Sequence, residues 1–248
     1  MSAFFTLHHG LPRAAPGDAA SLEWALGVAG VPARARILDA GCGPGPDLAV
    51  LRALRPGARL VGMDLHAPFI DRVRAELPEV EAVVGDMLAP EGRFDLIWSA
   101  GAAYGPGVTI ALAAWGPHLT PSGAVAFSDC LWRNPRPAPA AHAFWDREYP
   151  GMCDLPGHLA RIEAAGWRVR GARWLGEAAW QAYYGPLSAR VEALREGALR
   201  AGADPALAEV LDATQAEIDL WRDHGGDYGY YLTVVVPASA GQGGAGPG

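Results

Sequence analysis

At 248 residues, the chain is long enough for one α/β unit with an insertion and cramped for two independent cores. A formal charge of -7 supplies no positive field for a nucleic-acid groove or an anionic membrane surface, so the expected partner is a small molecule. All 20 basic residues are arginine; without lysine there is no phosphate-cradling GK[ST] loop, no Schiff base to pyridoxal phosphate and no lysine-assisted tyrosine of the short-chain dehydrogenase kind.

The N-terminal segment, up to about Val31, lies outside any alternating pattern and is a candidate lid. Its Phe4, Phe5 and Leu7 are followed by His8, His9 and Arg13, which suits neither a signal peptide nor a spanning helix. From Arg36 onward, apolar runs of strand length alternate with helical periodicity, the pattern of a mostly parallel sheet covered on both faces. Strands are expected at Arg36 to Asp39, Arg59 to Asp64, Glu81 to Gly85, Phe94 to Ser99, Ala124 to Asp129, Trp167 to Leu175 and Tyr230 to Val236. Helices are expected at Pro46 to Leu54, Ala67 to Leu77, Val108 to Leu119 and Pro156 to Ala165, the last capped by Asp154 and stopped by Gly166. A second candidate lid, roughly Gly176 to His224, reads as two amphipathic helices broken around Gly202 and Pro205. The glycine- and alanine-rich tail from Ala238 is expected to be disordered, leaving residues 1–237 as one domain.

Cys42, Cys130 and Cys153 are odd in number and lack the spacing of a disulfide framework or zinc site, so a reducing, cytoplasmic compartment is expected. Nor do His8, His9 and His66 find further ligands at metal spacing, and no metal site is expected. The oligomeric state is left open, a homodimer included.

The chemistry concentrates in ILDAGCGPGPD, Ile37 to Asp47: a strand, an acid, then Gly41, Gly43 and Gly45 in a loop entering a helix. Glycines permit sharp turns and close approach of backbone to ligand, and a helix start presents unpaired N–H groups. Pro46 replaces the third glycine of the dinucleotide fingerprint, and Asp39 stands just ahead of the first. At about 4 Å and an effective dielectric near 20, a carboxylate interacts with a unit charge by roughly 4 kcal/mol. Asp39 therefore repels a pyrophosphate and favours a cofactor carrying an ammonium or sulfonium. Asp64, ending the second strand, can accept from ribose hydroxyls, and Asp86 with Met87 can meet an adenine amine and ring edge. After the fourth strand, Ser99, Ala100 and Tyr104 reach the carboxyl edge of the sheet, where open α/β folds bind ligands.

In this order, the pieces resemble class I S-adenosylmethionine-dependent methyltransferases. The likeness spans essentially the whole chain and is nearest to bacterial small-molecule methyltransferases of the quinone-biosynthesis type, through LHHGLPRAAPGDAASL, DLHAPFIDRV, GDMLAP, FDLIWSAGAAYGPG, the Pro-Ser-Gly turn before AVAFSD, YYGPL and DYGYY. It implies a doubly wound, Rossmann-like α/β fold with a seven-stranded sheet, the last strand antiparallel, and a helical lid before that strand. It also implies S-adenosylmethionine as cofactor, with Asp39, Gly41 and Gly43 near its methionine moiety, Asp64 on the ribose, Asp86 and Met87 on adenine, and Leu65 and His66 flanking. Pro44 and Pro46 make a stiffer loop than usual, and AAPGD lacks a serine that the similar group tends to carry beside the acid.

Trp132, Trp145, Tyr149, Trp180, Tyr183 and Tyr184 cluster near the lids, and Trp132, Tyr183 and Tyr184, with Tyr104, are expected to line an apolar substrate pocket. If the acceptor must lose a proton, Asp129, His66 and Tyr104 are the candidate bases. Leu11 and Pro12 are expected to shield the cofactor, with Arg13 near the acidic rim. Two other readings stand beside the methyltransferase: a non-catalytic S-adenosylmethionine-binding module, and an NAD-dependent oxidoreductase, which Asp39, Pro46 and the missing lysine disfavour.

Overall fold

The chain is described here by a computed structural model covering residues 3–201 and 204–241. Its centre is a seven-stranded sheet in the order β3-β2-β1-β4-β5-β7-β6. The strands are β1 (Arg36–Ala40), β2 (Arg59–Asp64), β3 (Glu81–Val84), β4 (Phe94–Ala100), β5 (Leu119–Trp132), β6 (Trp167–Trp174) and β7 (Tyr228–Pro237). Neighbours from β3 through β5 pair in parallel, and β7 runs antiparallel to both β5 and β6. All seven expected strands are present, with β5 extended at both ends.

Sheet-covering helices are α2 (Ala19–Ala29), α3 (Pro46–Leu54), α4 (Ala67–Glu76), α5 (Val108–Trp115) and α7 (Leu155–Ala164). Each begins where the sequence supplies a start. The Asp18 carboxylate accepts from the Ser21 N–H at 2.6 Å and Asp154 from the Gly157 N–H at 2.9 Å, satisfying donors that a first turn leaves unpaired. Gly30, at φ 66°, closes α2 in the left-handed region.

The strand period of two sorts the core into two faces. Ile37, Leu60, Leu96, Trp98 and Ala126 pack on the side of α2, α3 and α4, whereas Leu38, Val61, Ile97, Val125 and Phe127 pack on the side of α5 and α7. Burial on both faces explains why Ile37 and Leu38 in β1, and Leu96, Ile97 and Trp98 in β4, are consecutive apolar residues rather than alternating ones.

Outside the repeating unit stand α1 (Ala3–His8), α6 (Pro139–Glu148), α8 (Glu177–Ala201) and α9 (Pro205–His224). Neither α1, α2 nor α6 is foreseen as a helix by the sequence reading. The segment carrying α1 packs on α8 and α9, with the Arg190 guanidinium donating to the Thr6 carbonyl at 3.1 Å. Pro205 starts α9 as expected, capped by Asp204; Gly202 lies outside the described residues. Of the tail expected to be disordered, Ala238–Gly241 forms a short 3-10 turn and residues 242–248 lie outside the described residues. Among the described residues, no helix is long and apolar enough to cross a membrane.

Candidate functional site

Register decides which strand-end residues meet. Asp39, Asp64 and Ala100 share the parity of Ile37, Leu60 and Trp98, so they emerge on the α2–α4 side at the carboxyl ends of adjacent strands. Together with the glycine loop they line a cleft of about 230 Å3.

The loop is built by backbone geometry that favours glycine. Gly41, Gly43 and Gly45 have φ of 77, 52 and 86°. The Gly41 and Cys42 N–H groups both donate to the Met63 carbonyl, at 2.8 and 3.0 Å, folding the chain back over β2. A Cβ on Gly41 would stand 2.6 Å from that of Ala102 and 3.2 Å from the Met87 sulfur.

Three carboxylates surround this loop, each held differently. Asp64 accepts from the Gly43 N–H at 2.9 Å and the His66 N–H at 2.8 Å, latching the loops after β1 and β2 together. Asp47 accepts from the Trp98 indole at 2.9 Å and is paired with Arg13 at 2.7 Å. Asp39 is 2% exposed, and its Oδ2 has no hydrogen-bond partner. Burial raises its pKa well above the ordinary carboxylate range, Asp47 and Asp64 push it further up, and Arg13 partly offsets them. An unpartnered buried carboxyl among two other acids is a site that gains by admitting positive charge.

The N-terminal segment crosses this cleft. Ala14 lies against Gly43 and Ala15 against Gly101, while Arg13 ties the crossing to Asp47. Leu11, expected to shield a ligand, is instead buried in the core, and Pro12 faces solvent.

A second cavity, of about 310 Å3, adjoins the cleft. The two share Ala14, Ala15, Phe69 and Tyr104. Its walls include Tyr183 and Tyr184, as expected, with Trp145, Trp180 and Tyr230; Glu217 stands among them. The Tyr184 hydroxyl donates to Glu217 at 2.8 Å. Burial raises the Glu217 carboxyl, partly opposed by that hydrogen bond. Tyr104 is likewise raised, first by burial and then by Glu217, which makes it a neutral donor rather than a base at neutral pH.

Several expected residues are not brought to either cavity. Ser99 and Asp129 have the opposite parity and turn toward α5 and α7. Asp129, 1% exposed, has its Oδ2 3.4 Å from the His158 imidazole and accepting from Tyr149 at 3.4 Å beneath α7, while its Oδ1 has no hydrogen-bond partner. Trp132 stacks on His142 with ring centroids 5.6 Å apart. His66 stacks on Phe5 at 3.6 Å on the outer side of the N-terminal segment, and Leu65 is 73% exposed. Asp86 accepts from the Leu88 N–H at 2.9 Å at the exposed edge of the sheet, while half-buried Met87 reaches toward Gly41. Cys42 is buried, and burial beside Asp39 and Asp64 pushes its thiol far up, so it is inert.

The sequence reading misses Asp47, Trp98, Ser128 and Glu217. The signal for Ser128 is parity: two residues past Ala126, it faces the cleft, and its hydroxyl accepts from the Gly101 N–H at 2.9 Å. Glu217 has no local signal. Among the described residues, no group of three or more His, Cys, Asp or Glu is arranged to hold a metal ion.

Comparison with known proteins agrees with this geometry. Residues 37–123 match the family described as "Methyltransferase domain". The chain is 31% identical over 156 residues to a trans-aconitate 2-methyltransferase of Azoarcus sp., covering 60% of this chain and 54% of that protein. It is 34% identical over 94 residues to another from Deinococcus radiodurans, covering 37% and 36%. The chain thus spans about half or less of the length of these relatives. Two solved structures, described as SAM-dependent methyltransferases in complex with S-adenosyl-L-homocysteine, share the fold over nearly their whole length. That from Geobacter sulfurreducens has a TM-score of 0.80 at 18% identity, covering 95% of this chain and 97% of that one. That from Thiobacillus denitrificans has 0.80 at 19%, covering 94% and 97%. The chain shares the fold of these two structures, and its residues 37–123 match the methyltransferase-domain family.

Proposed function

We propose that the protein is an S-adenosylmethionine-dependent methyltransferase of small molecules, with the cofactor in the cleft at the ends of β1, β2 and β4 and the acceptor in the aromatic chamber beside it. The observation that carries the reading is Asp39, whose buried Oδ2 has no partner and opens on a cleft walled by glycines. A dinucleotide pyrophosphate would meet three carboxylates there; a cofactor with an ammonium and a sulfonium supplies the missing positive charge.

When bound, S-adenosylmethionine supplies a methyl group already activated by its sulfonium. The chain therefore has to bind, orient and exclude water. Asp39 would hold the positive end of the methionine moiety and Asp64 would offer its remaining lone pairs to ribose hydroxyls, while Met87, beside Gly41, would cover the adenine where it leaves the cleft toward Asp86. The crossing at Ala14 and Ala15 walls both cavities, and Tyr104 stands where they meet. Alignment of the two reactants accounts for about 7 to 11 kcal/mol of barrier reduction where geometry is well fixed, so no triad is required.

The relatives named as trans-aconitate 2-methyltransferases carry a tricarboxylate in their name. Among the described residues, no arginine lines the chamber, so that acceptor is not carried over.

Titration calorimetry with S-adenosylmethionine and S-adenosylhomocysteine, with NAD as control, tests the cofactor. Micromolar binding of the adenosyl ligands, absent for NAD, is expected; no adenosyl binding would sink the reading. Methyl transfer to a panel of small acceptors then separates an enzyme from a non-catalytic binding module.

A further inference from the structure

The acceptor chamber has a chemical character of its own. Trp145, Trp180, Tyr183, Tyr184 and Tyr230 present ring surface to one space. Trp180 is stacked with Tyr184, their centroids 5.9 Å apart and their planes inclined by 13°, and sits edge-on to Tyr230 at 5.4 Å. The carboxylate of Glu217 is set into this wall with the Tyr184 hydroxyl as its hydrogen-bond donor. A second carboxylate, Glu148, lines the rim and is paired with Arg147. No arginine is among the described residues lining the chamber, and the basic group that does, His8, is shifted by burial toward its neutral form.

From this arrangement we infer that the methyl acceptor is a cationic amine with an apolar body, held by the ring faces and by Glu217. The inference rests on the methyltransferase reading and names the substrate class for the same site.

Ring faces carry negative potential and attract an ammonium, more strongly once water is excluded. A carboxylate without a basic partner among the residues lining the chamber supplies the counter-charge, and the apolar remainder of the ligand fills the space toward Phe69 and Leu187. A polycarboxylate would meet the opposite field, with no positive side chain to offset its desolvation. Burial raises Glu217, which brings its proton affinity nearer to that of an amine. The ammonium proton passes to the Glu217 carboxylate. The freed nitrogen lone pair forms the new N–C bond as the S–C bond breaks, and that bond's electron pair remains on sulfur. The products are a methylated ammonium, a neutral thioether and the protonated Glu217 carboxyl, so charge and atoms balance.

The test uses the full chain, first saturated with S-adenosylhomocysteine, whose binding is measured separately. Tryptophan fluorescence then follows titration with phenyltrimethylammonium, its neutral isostere tert-butylbenzene, and trans-aconitate. The cation should bind at least tenfold more tightly than the isostere, and trans-aconitate should not compete. Glu217→Gln keeps an acceptor for Tyr184 and should weaken the cation tenfold or more while leaving the isostere and S-adenosylhomocysteine unaffected. Equal binding of cation and isostere, no binding of the cation, or tighter binding of trans-aconitate would overturn the amine assignment with the cofactor reading intact. Failure of S-adenosylhomocysteine itself to bind would instead strike the methyltransferase reading. Should Glu217→Gln not fold, Trp180→Leu removes one ring face and should lower the preference for the cation over the isostere; an unchanged preference there also counts against the assignment.

Discussion

The cleft proposed for the cofactor and the chamber proposed for the acceptor meet at Tyr104, yet they are made in opposite ways. The cleft is assembled by the ends of three adjacent strands and is governed by charge: Asp39, Asp47 and Asp64 stand there with Arg13, the one basic side chain among the described residues lining it. The chamber is assembled by α1, α6, α8 and α9, distant in sequence, and is governed by ring surface around the half-buried Glu217. Parallel strand ends fix carboxylates to within a fraction of an ångström through sheet register, which suits a ligand that never changes. Helices packed on a sheet edge can be rebuilt without disturbing that register, which suits the ligand that distinguishes one family member from another.

The sharpest way to break the comparison is at Asp64, which latches two loops and offers lone pairs to the ligand. Asp64→Ala should reduce S-adenosylhomocysteine affinity at least a hundredfold, roughly 3 kcal/mol, by calorimetry, while leaving phenyltrimethylammonium binding within threefold. Coupled loss of both would show that the two cavities are one unit.

Removing the cation has a different signature. Arg13→Ala leaves Asp47 buried with Trp98 alone, and breaking a pair this enclosed should cost about 2–3 kcal/mol. For a domain of this size, the melting temperature should then fall by roughly 4–12 °C. Weaker cofactor binding should accompany it, because the N-terminal crossing loses its tie to the glycine loop. An unchanged melting temperature would show that the pair contributes nothing to holding the segment down.

Gly41→Ala acts on backbone rather than charge. At φ 77° an alanine is strained by about 1–2 kcal/mol, and its methyl must displace Ala102 and Met87. S-adenosylhomocysteine affinity should fall about tenfold, near the value set by that strain, with the chamber's ligands unaffected.

Asp39 gives the cleft a pH dependence that the chamber cannot mimic. Because burial favours its neutral form, its contribution to stability is present below the ordinary carboxylate range and is lost as the pH rises through the elevated native value. A cationic ligand favours the carboxylate instead. Binding should therefore release a proton, and affinity should climb with pH until Asp39 is ionised in the free protein as well. Calorimetry in two buffers of different ionisation enthalpy measures the release, and Asp39→Asn should flatten the profile. The groups facing Asp39 are Asp47, Asp64 and Arg13, so a profile that persists in Asp39→Asn would move the assignment to one of the other two acids. The smallest effect belongs to Trp132→Phe, which should leave both ligands within error, because that ring stacks on His142 outside both cavities.

Legibility followed the same division. The glycine loop, Asp39 and Asp64 could be read because one strand, one tight turn and one helix start are local events. The sequence points to Ser99 as a residue at the carboxyl edge of the sheet and to Asp129 as a candidate base, without regard to which face of its strand each occupies. Parity sends them to the α5 and α7 side and brings Ala100 and Ser128 forward instead. Trp132 was grouped with the chamber aromatics by nearness in sequence, although Trp145, Trp180, Tyr183 and Tyr184 do line it.

The sequence by itself determined the seven strands, the helices after β1 and β2, and the acid-and-glycine cleft, because periodicity, capping residues and positive-φ glycines act over a few residues. Only the tertiary structure decided that Arg13 pairs with Asp47, that Trp98 supports the same carboxylate, and that Glu217 stands among five aromatic rings. Those contacts join residues 34, 51 and 33 positions apart in the cases of Arg13–Asp47, Trp98–Asp47 and Tyr184–Glu217. No local propensity encodes such pairings. They follow from how amphipathic helices settle on the sheet edge, where burial of whole faces, rather than any one residue's preference, sets the final positions.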